Sequence, residues 1–313
     1  MEFLIDYAMF FAKVLTIILM LFLSLVGITF LRKGNIPKEE KKISVKRLND
    51  RLDEISLAIY RESMDARAFK KKQKSLKDQQ PDDTKSKTYL INFDGDIKAS
   101  AVTHLRDEIT AILRVANEND KVLLRLESAG GTLHGYGLGA SQLERITNEG
   151  LHLTVLVDKI AASGGYLMAC VADEIIAAPF AIIGSIGVVA QLPNFNRLLK
   201  KNDVDFELLT AGKHKRSLTM FGENTEQGRE KFQEDIDVAH EVFKQYVSSN
   251  RKNIDIEKVA TGEYWQATNA IAHGLVDKLA TSDDVILENA KVSEVLEISS
   301  VKKQTLISKL LSI

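Results

Sequence analysis

The hydrophobic pattern divides this chain into stretches of different period. Residues 14–31 are uncharged and almost wholly apolar, and Phe10, Phe11 and Ala12 carry the run back past Lys13. At about 1.5 Å per residue, such a helix crosses a hydrocarbon core roughly 30 Å thick. The chain begins with Glu2 and Asp6, and no small-x-small cleavage site comes after the run. The pattern therefore predicts an uncleaved, single-pass anchor over 1–34. Residues 43–76 set Leu48, Leu52, Ile55, Leu57, Ile59, Met64 and Phe69 among many charges, which predicts a basic helical linker over 35–87 with a partly buried face. A polar, turn-rich segment at 79–86, containing Pro81, marks a domain boundary at the end of this linker.

Beyond that segment short apolar runs alternate with helical periodicity. Strands are predicted at 89–93, 122–126, 153–157 and 174–178. Helices are predicted at 103–117, with Leu105, Ile109, Ile112, Leu113 and Ala116 on one face, and at 136–148. This alternation is that of an α/β domain with largely parallel strands, assigned to 88–285, and in such sheets sites collect at strand C-terminal ends. Residues 173–192 are apolar enough to suggest a second span. Pro179 and the turn Gly184-Ser185-Ile186-Gly187 interrupt them, so buried strands joined by a loop are predicted. A strand is predicted at 206–210, then a helix starting at Glu223-Asn224-Thr225, which repeats Phe232, Ile236, Ala239, Phe243 and Val247 at helical spacing. The segment 286–313 is expected to be an amphipathic tail. Its basic end from Val301 lies on a membrane, docks on a neighbouring subunit or frays.

Charge changes the picture locally. The balance of 42 Lys and Arg against 43 Asp and Glu lacks the global basicity of a nucleic-acid binder. Arg32, Lys33, Lys38, Lys41, Lys42, Lys46 and Arg47 cluster after the apolar run, and the positive-inside bias then favours a cytoplasmic start for the domain. The same cations could rest on anionic headgroups or line a solvated linker. The single cysteine, Cys170, excludes an internal disulfide framework and sits among small residues, where it reads as packing.

The candidate chemistry gathers at two glycine turns. Ser163, in Ala161-Ala162-Ser163-Gly164-Gly165-Tyr166, comes after an apolar strand and precedes a buried helical run. Its hydroxyl stands at a helix N-terminus, either as a cap or as a nucleophile. Gly130-Gly131 comes after another strand; its N–H groups can receive a carbonyl oxygen, form a tight turn, or do both. Lys213, Lys215 and Arg216 on their own read as a solvated basic loop.

Four motifs in order resemble the SppA/SohB family of bacterial membrane serine peptidases over most of 89–284. They are Glu127-Ser128-Ala129-Gly130-Gly131, the Ser163 segment, Ile183-Gly184-Ser185-Ile186-Gly187-Val188 and Ala211-Gly212-Lys213-His214-Lys215-Arg216. The resemblance implies a ClpP/crotonase-like α/β fold and a Ser/Lys dyad. Ser163 would be the nucleophile, Lys215 the general base, Ser185 the group that orients the lysine, and Gly131 and Gly164 the oxyanion donors. It further implies a peptide or membrane-protein substrate, lipid contact through the N-terminal helix, a homo-oligomer, residence in the inner membrane, and no metal or organic cofactor. The family acts in the envelope, against the charge bias, so the side of the catalytic domain stays open. Ala129 stands where the family usually has proline, which predicts a less rigid turn.

The dyad also makes chemical sense. A lysine accepts a proton only when neutral, which burial away from carboxylates favours, and no acidic residue lies between Thr210 and Phe221. A ClpP-like triad would want a histidine within 182–191, and none of the six is there. A crotonase-like acyl-CoA enzyme would keep the oxyanion donors without a serine nucleophile, and an inactive membrane scaffold would need neither.

Overall fold

The computed structural model describes residues 2–32, 42–77, 85–212 and 214–301. The basic residues at 33–41, most of the boundary segment at 79–86, Lys213 and the basic end of the tail at 302–313 lie outside the described residues. Helix α1 (Glu2–Arg32) is continuous. Its stretch Ile5–Ser24 is long and apolar enough to cross a membrane, and among the described residues no other helix is. The apolar segment thus begins before Lys13, whose single charge one helix tolerates.

A separate unit, Ile43–Ser300, holds the rest of the fold. In chain order it contains β1 (Lys42–Arg47), α2 (Leu48–Ser63), α3 (Ala66–Lys77), β2 (Lys87–Gly95), α4 (Val102–Leu113), β3 (Lys121–Ser128), α5 (Leu133–Asn148), β4 (His152–Val157), β5 (Ile160–Ala162), α6 (Gly164–Ala169), β6 (Glu174–Ala177) and β7 (Ile182–Gly184). Then come α7 (Asn196–Lys201), α8 (Glu226–Asn250), α9 (Ile256–Val259), β8 (Tyr264–Gln266), α10 (Ala267–Ala270), β9 (Lys278–Leu279), α11 (Ser282–Val292) and β10 (Glu294–Val301). The predicted α/β class is the one found.

Among the described residues the strands form one sheet in the order β1-β10-β2-β3-β4-β6-β9, with β5, β7 and β8 branching from the end of β3. The pairings from β10 to β9 are parallel, and β8 lies antiparallel to β7. The branch positions the site. Strand β3 pairs with β4 over its first residues, while its last, Ser128, pairs with Ala161 of β5. The chain therefore leaves the main layer after Val157 and resumes as β5, and β6 and β7 repeat the step by pairing with β4 and β5.

Alternation along β2 sends Tyr89, Ile91 and Phe93 into the larger core with α4, α5 and α6, and Leu90 into a smaller core with Leu123, Leu156, Ile176, Val285 and Ile286. Burial of both faces is why β2, β3, β4 and β6 read as nearly continuous apolar runs.

Three segments differ from the sequence expectation. Residues 43–47, expected to be helical, form β1 at the sheet edge, where β-branched Ile43 and Val45 alternate with polar neighbours. The segment 286–313 is not a tail from 286 onward: α11 runs across that position, and β10 continues as an inner strand between β1 and β2. Val295 and Ile298 are buried there, and the Val295 N–H donates to Asn49 Oδ1 at 2.8 Å. Residues 206–210 are irregular instead of a strand. No described strand offers them a ladder, Leu209 is 91% exposed, and Phe206 packs on Phe221 with ring centroids 5.7 Å apart. The helix expected near 223–225 is α8, capped by Thr225 Oγ1, which accepts from the Gly228 N–H at 3.1 Å.

Candidate active site

Strand β5 is only three residues long, and Ser163 alone separates it from α6. Ser163 adopts φ 51° and ψ −121°, a conformation that costs a non-glycine residue roughly 1–3 kcal/mol and persists only where the surroundings impose it. They do so here: its N–H donates to Gly184 O at 2.8 Å and its carbonyl accepts from the Leu167 N–H at 2.9 Å. Although Ser163 occupies the N-cap position of α6, its side chain makes no capping hydrogen bond. Of the two readings open in the sequence, the cap is thereby set aside, and the half-buried hydroxyl is left for other work.

The glycine turn after β3 stands against this serine. A Cβ at Gly130, which has φ 89°, would lie 2.8 Å from Ser163 Cβ and 2.7 Å from Gly164 N. A Cβ at Gly164 would run into the Tyr136 ring, one at Gly131 into Ile97 O, and one at Gly165 would come within 2.5 Å of Ser128 O. All four glycines are therefore required by space, and Gly130 by its φ as well. The Gly130 N–H is taken by Ser128 Oγ at 3.0 Å. Those of Gly131 and Gly164 donate to no acceptor among the described residues. Two unengaged donors beside a strained serine are what an acyl-transfer site needs for a developing oxyanion.

Ser185 joins them through the ladder. Ala162 pairs with Gly184, so Ser163 and Ser185 leave adjacent parallel strands at one level, where strands lie about 4.8 Å apart. Ser185 also has positive φ, 52°. Its N–H donates to Glu263 O at 2.6 Å, and Gly184 abuts the Trp265 ring, leaving a Cβ only 2.9 Å of clearance.

Lys215 is not drawn into this cluster by any hydrogen bond. It lies exposed on an irregular loop, its N–H donating to Gly212 O at 3.1 Å in a turn. Among the described residues its ammonium pairs with no carboxylate. Cys170 is fully buried in α6's C-terminal turn, and burial pushes its thiol far above the usual range, which removes it as a nucleophile. Among the described residues no histidine is hydrogen-bonded to Ser163; His273 packs against Trp265 with tilted rings whose centroids are 5.1 Å apart, and His152 lies 3.7 Å from Asp173. Sequence reasoning assigns no role to Ser128 or Tyr136, which support the glycine turn from below. Ser128 stands within one of the four motifs, whereas Tyr136 carries no signal beyond helical periodicity.

The sequence matches the profile of peptidase family S49 over residues 145–296 and that of the peptidase family S49 N-terminal region over residues 2–143. It is 46% identical to the probable protease SohB of Haemophilus influenzae, covering 98% of this chain and 92% of that one. It is also 46% identical to the probable protease SohB of Buchnera aphidicola subsp. Schlechtendalia chinensis, covering 92% and 99%. Among solved structures, a mutant of the 1510-N membrane-bound stomatin-specific protease in complex with a substrate peptide aligns with a TM-score of 0.47 at 15% identity, covering 74% of this chain and 100% of that one. With two profiles that together span the chain from 2 to 296 and relatives this similar along nearly their whole length, the chain belongs to peptidase family S49.

Proposed function

We propose that this S49 peptidase is a membrane-anchored serine endopeptidase that cleaves peptides or membrane-protein segments through Ser163 and Lys215. The observation that carries the reading is the strained, uncapped Ser163 set against Gly130 at the end of β5. Neutral Lys215 Nζ takes the proton from Ser163 Oγ as that oxygen attacks the peptide carbonyl carbon. The oxyanion is received by the N–H groups of Gly131 and Gly164, and Ser185 Oγ orients the amine. Collapse breaks the C–N bond, and Lys215 returns the proton to the leaving amine. Water, deprotonated by the same lysine, then hydrolyses the acyl-serine ester and restores Ser163.

Self-association and the membrane complete this reading. The loop that carries Lys215 exposes Leu209 and half-exposes Phe206, Leu208 and Phe221. Association with a second copy across this surface would bury them and remove water from around Lys215, the condition under which an amine loses its proton. Helix α1 supplies a single span in the inner membrane.

The full-length protein in detergent, assayed with fluorescent casein and a fluorophosphonate probe, tests the dyad. Ser163→Ala and Lys215→Ala both abolish hydrolysis while keeping the parent's melting temperature, and Ser163→Ala alone abolishes the probe's site. Undiminished hydrolysis by either variant removes that residue from the mechanism. Specific activity that stays constant on dilution through the range where the protein dissociates would remove the role of self-association.

A further inference from the structure

Under the Gly130-Gly131 turn runs a buried chain of hydrogen bonds. Tyr136, on α5, is 0% exposed, and its hydroxyl donates to Asp96 O at 2.8 Å. Ser128 Oγ lies 2.5 Å from Tyr136 Oη. With the phenol donating to Asp96 O at 2.8 Å, the serine donates in this pair, its 3.4 Å approach to Gly95 O being the longer alternative for its proton. Ser128 Oγ in turn accepts the Gly130 N–H at 3.0 Å. The chain thus has one direction, from the Gly130 N–H through Ser128 and Tyr136 to the Asp96 carbonyl, and links of this kind polarise one another. Its far end is anchored, because the Asp96 carboxylate accepts both the N–H and the hydroxyl of Ser100 at 2.8 Å. Burial raises the Tyr136 pKa, which keeps the phenol a donor.

This chain holds the glycine turn in two ways. The Gly130 N–H is spent on Ser128, which fixes the plane of that peptide and leaves the next N–H, that of Gly131, free. The Tyr136 ring meanwhile fills the space where any side chain at Gly164 would stand. One residue therefore bears on both lips of the proposed oxyanion site: its hydroxyl reaches the Gly130-Gly131 turn through Ser128, and its ring lies directly against Gly164.

We propose that Tyr136 is a positioning residue of the active site: through Ser128 and Gly130 it aims the Gly131 N–H, and through its ring it seats Gly164, so that one buried side chain sets the separation of the two oxyanion donors. The role rests on the reading of Ser163 as nucleophile.

The test uses full-length Tyr136→Phe, Ser128→Ala and the double variant, with a fluorogenic peptide cleaved by the parent and a peptide boronate as transition-state analogue. Loosening donors that act only in the transition state lowers kcat by about 10- to 100-fold with KM within about twofold. Boronate affinity falls by the same factor as kcat/KM. The double variant is no worse than the poorer single one, since the chain acts as a unit. A packing role alone lowers the melting temperature and leaves kcat and boronate affinity unchanged, and that result, or additive losses, overturns the proposal. Should Tyr136→Phe fail to fold, Ser128→Ala carries the same comparison. The two possible failures separate by labelling. A parent that the fluorophosphonate does not label at Ser163 defeats the nucleophile and this role with it. A labelled parent matched in rate by Tyr136→Phe and Ser128→Ala defeats the positioning role alone.

Discussion

Gly130→Ala tests the close approach on which the site is built. The added Cβ would stand 2.7 Å from Gly164 N and 2.8 Å from both Ala162 O and Ser163 Cβ, where non-bonded carbon contacts settle at about 3.5–4.0 Å. Two of those atoms are backbone and the third is rigidly attached to it, so relief means moving the turn by on the order of 1 Å. At φ 89° an L side chain adds about 1–2 kcal/mol of its own, and overpacking adds about 1–3 kcal/mol. The loss is thus roughly 2–5 kcal/mol, a large part of the approximately 5–15 kcal/mol that holds an ordinary domain together. A urea titration reads it through Trp265, the only tryptophan, whose ring lies against Gly184. With a slope of about 2–3 kcal/mol per molar, the midpoint falls by about 1–2 M. The same displacement carries the Gly131 N–H, and misplacing a reacting geometry by about 1 Å costs on the order of 100-fold in rate. Fluorophosphonate labelling of the molecules still folded is therefore expected to slow at least about tenfold. A variant that matches the parent in both midpoint and labelling rate would refute the close approach.

Substitutions at three other positions probe the scaffold. Gly137, inside α5, has nothing within 4 Å of an added Cβ, so Gly137→Ala raises stability by about 0.5–1 kcal/mol in the urea titration and leaves labelling unchanged. Glu108 is 6% exposed, its carboxylate accepts the Ser300 N–H at 2.7 Å, and burial raises its pKa. The folded protein then holds this proton more tightly than the unfolded chain, so stability falls as pH rises from the unfolded value through the folded one, by about 1.4 kcal/mol per unit of displacement. Glu108→Gln keeps the acceptor and does not titrate; it melts above the parent near about pH 7, and the gap closes near about pH 4. Arg251 forks onto Asp277 at 2.7 and 2.9 Å and donates to Gly274 O at 2.8 Å, while Asp277 also accepts the Ile175 N–H at 2.7 Å. Arg251→Ala leaves the one-third-exposed Asp277 carboxylate to the Ile175 N–H and water and costs about 1.5–3 kcal/mol in the same titration; Arg251→Lys recovers only part, because an ammonium cannot make the fork.

The legible parts of the fold are those whose burial is symmetric. Strands β2, β3, β4 and β6 are covered on both faces, so their sequences are nearly continuous apolar runs bounded by turns. Strands β1 and β10 read Lys-Ile-Ser-Val-Lys-Arg and Glu-Val-Leu-Glu-Ile-Ser-Ser-Val, where charged and hydroxyl residues mask a half-buried alternation; only their pairing across the chain reveals them. The converse holds at 206–210. Phe206, Leu208 and Leu209 have the composition of a strand, yet composition cannot say whether an edge exists for them to join, and none does among the described residues.

The site divides along the same line. Ser163, Ser185 and the glycines are readable because a serine in a left-handed conformation beside another backbone demands small neighbours, and that demand is written in the local sequence. Tyr136 is not, because its importance lies in what it touches from a different element: the carbonyl of Asp96, the hydroxyl of Ser128 and the face of Gly164. Ladder bonds and glycine contacts within one chain suffice to hold Ser163, Ser185 and the N–H groups of Gly131 and Gly164 in place. Lys215 has no such frame, since among the described residues its loop contributes no strand and leaves Leu209 91% exposed. In the proposed dyad the serine half is formed within one chain and the lysine half is conditional on burial, so that the proton acceptor proposed for Ser163 would arise only when something covers the loop.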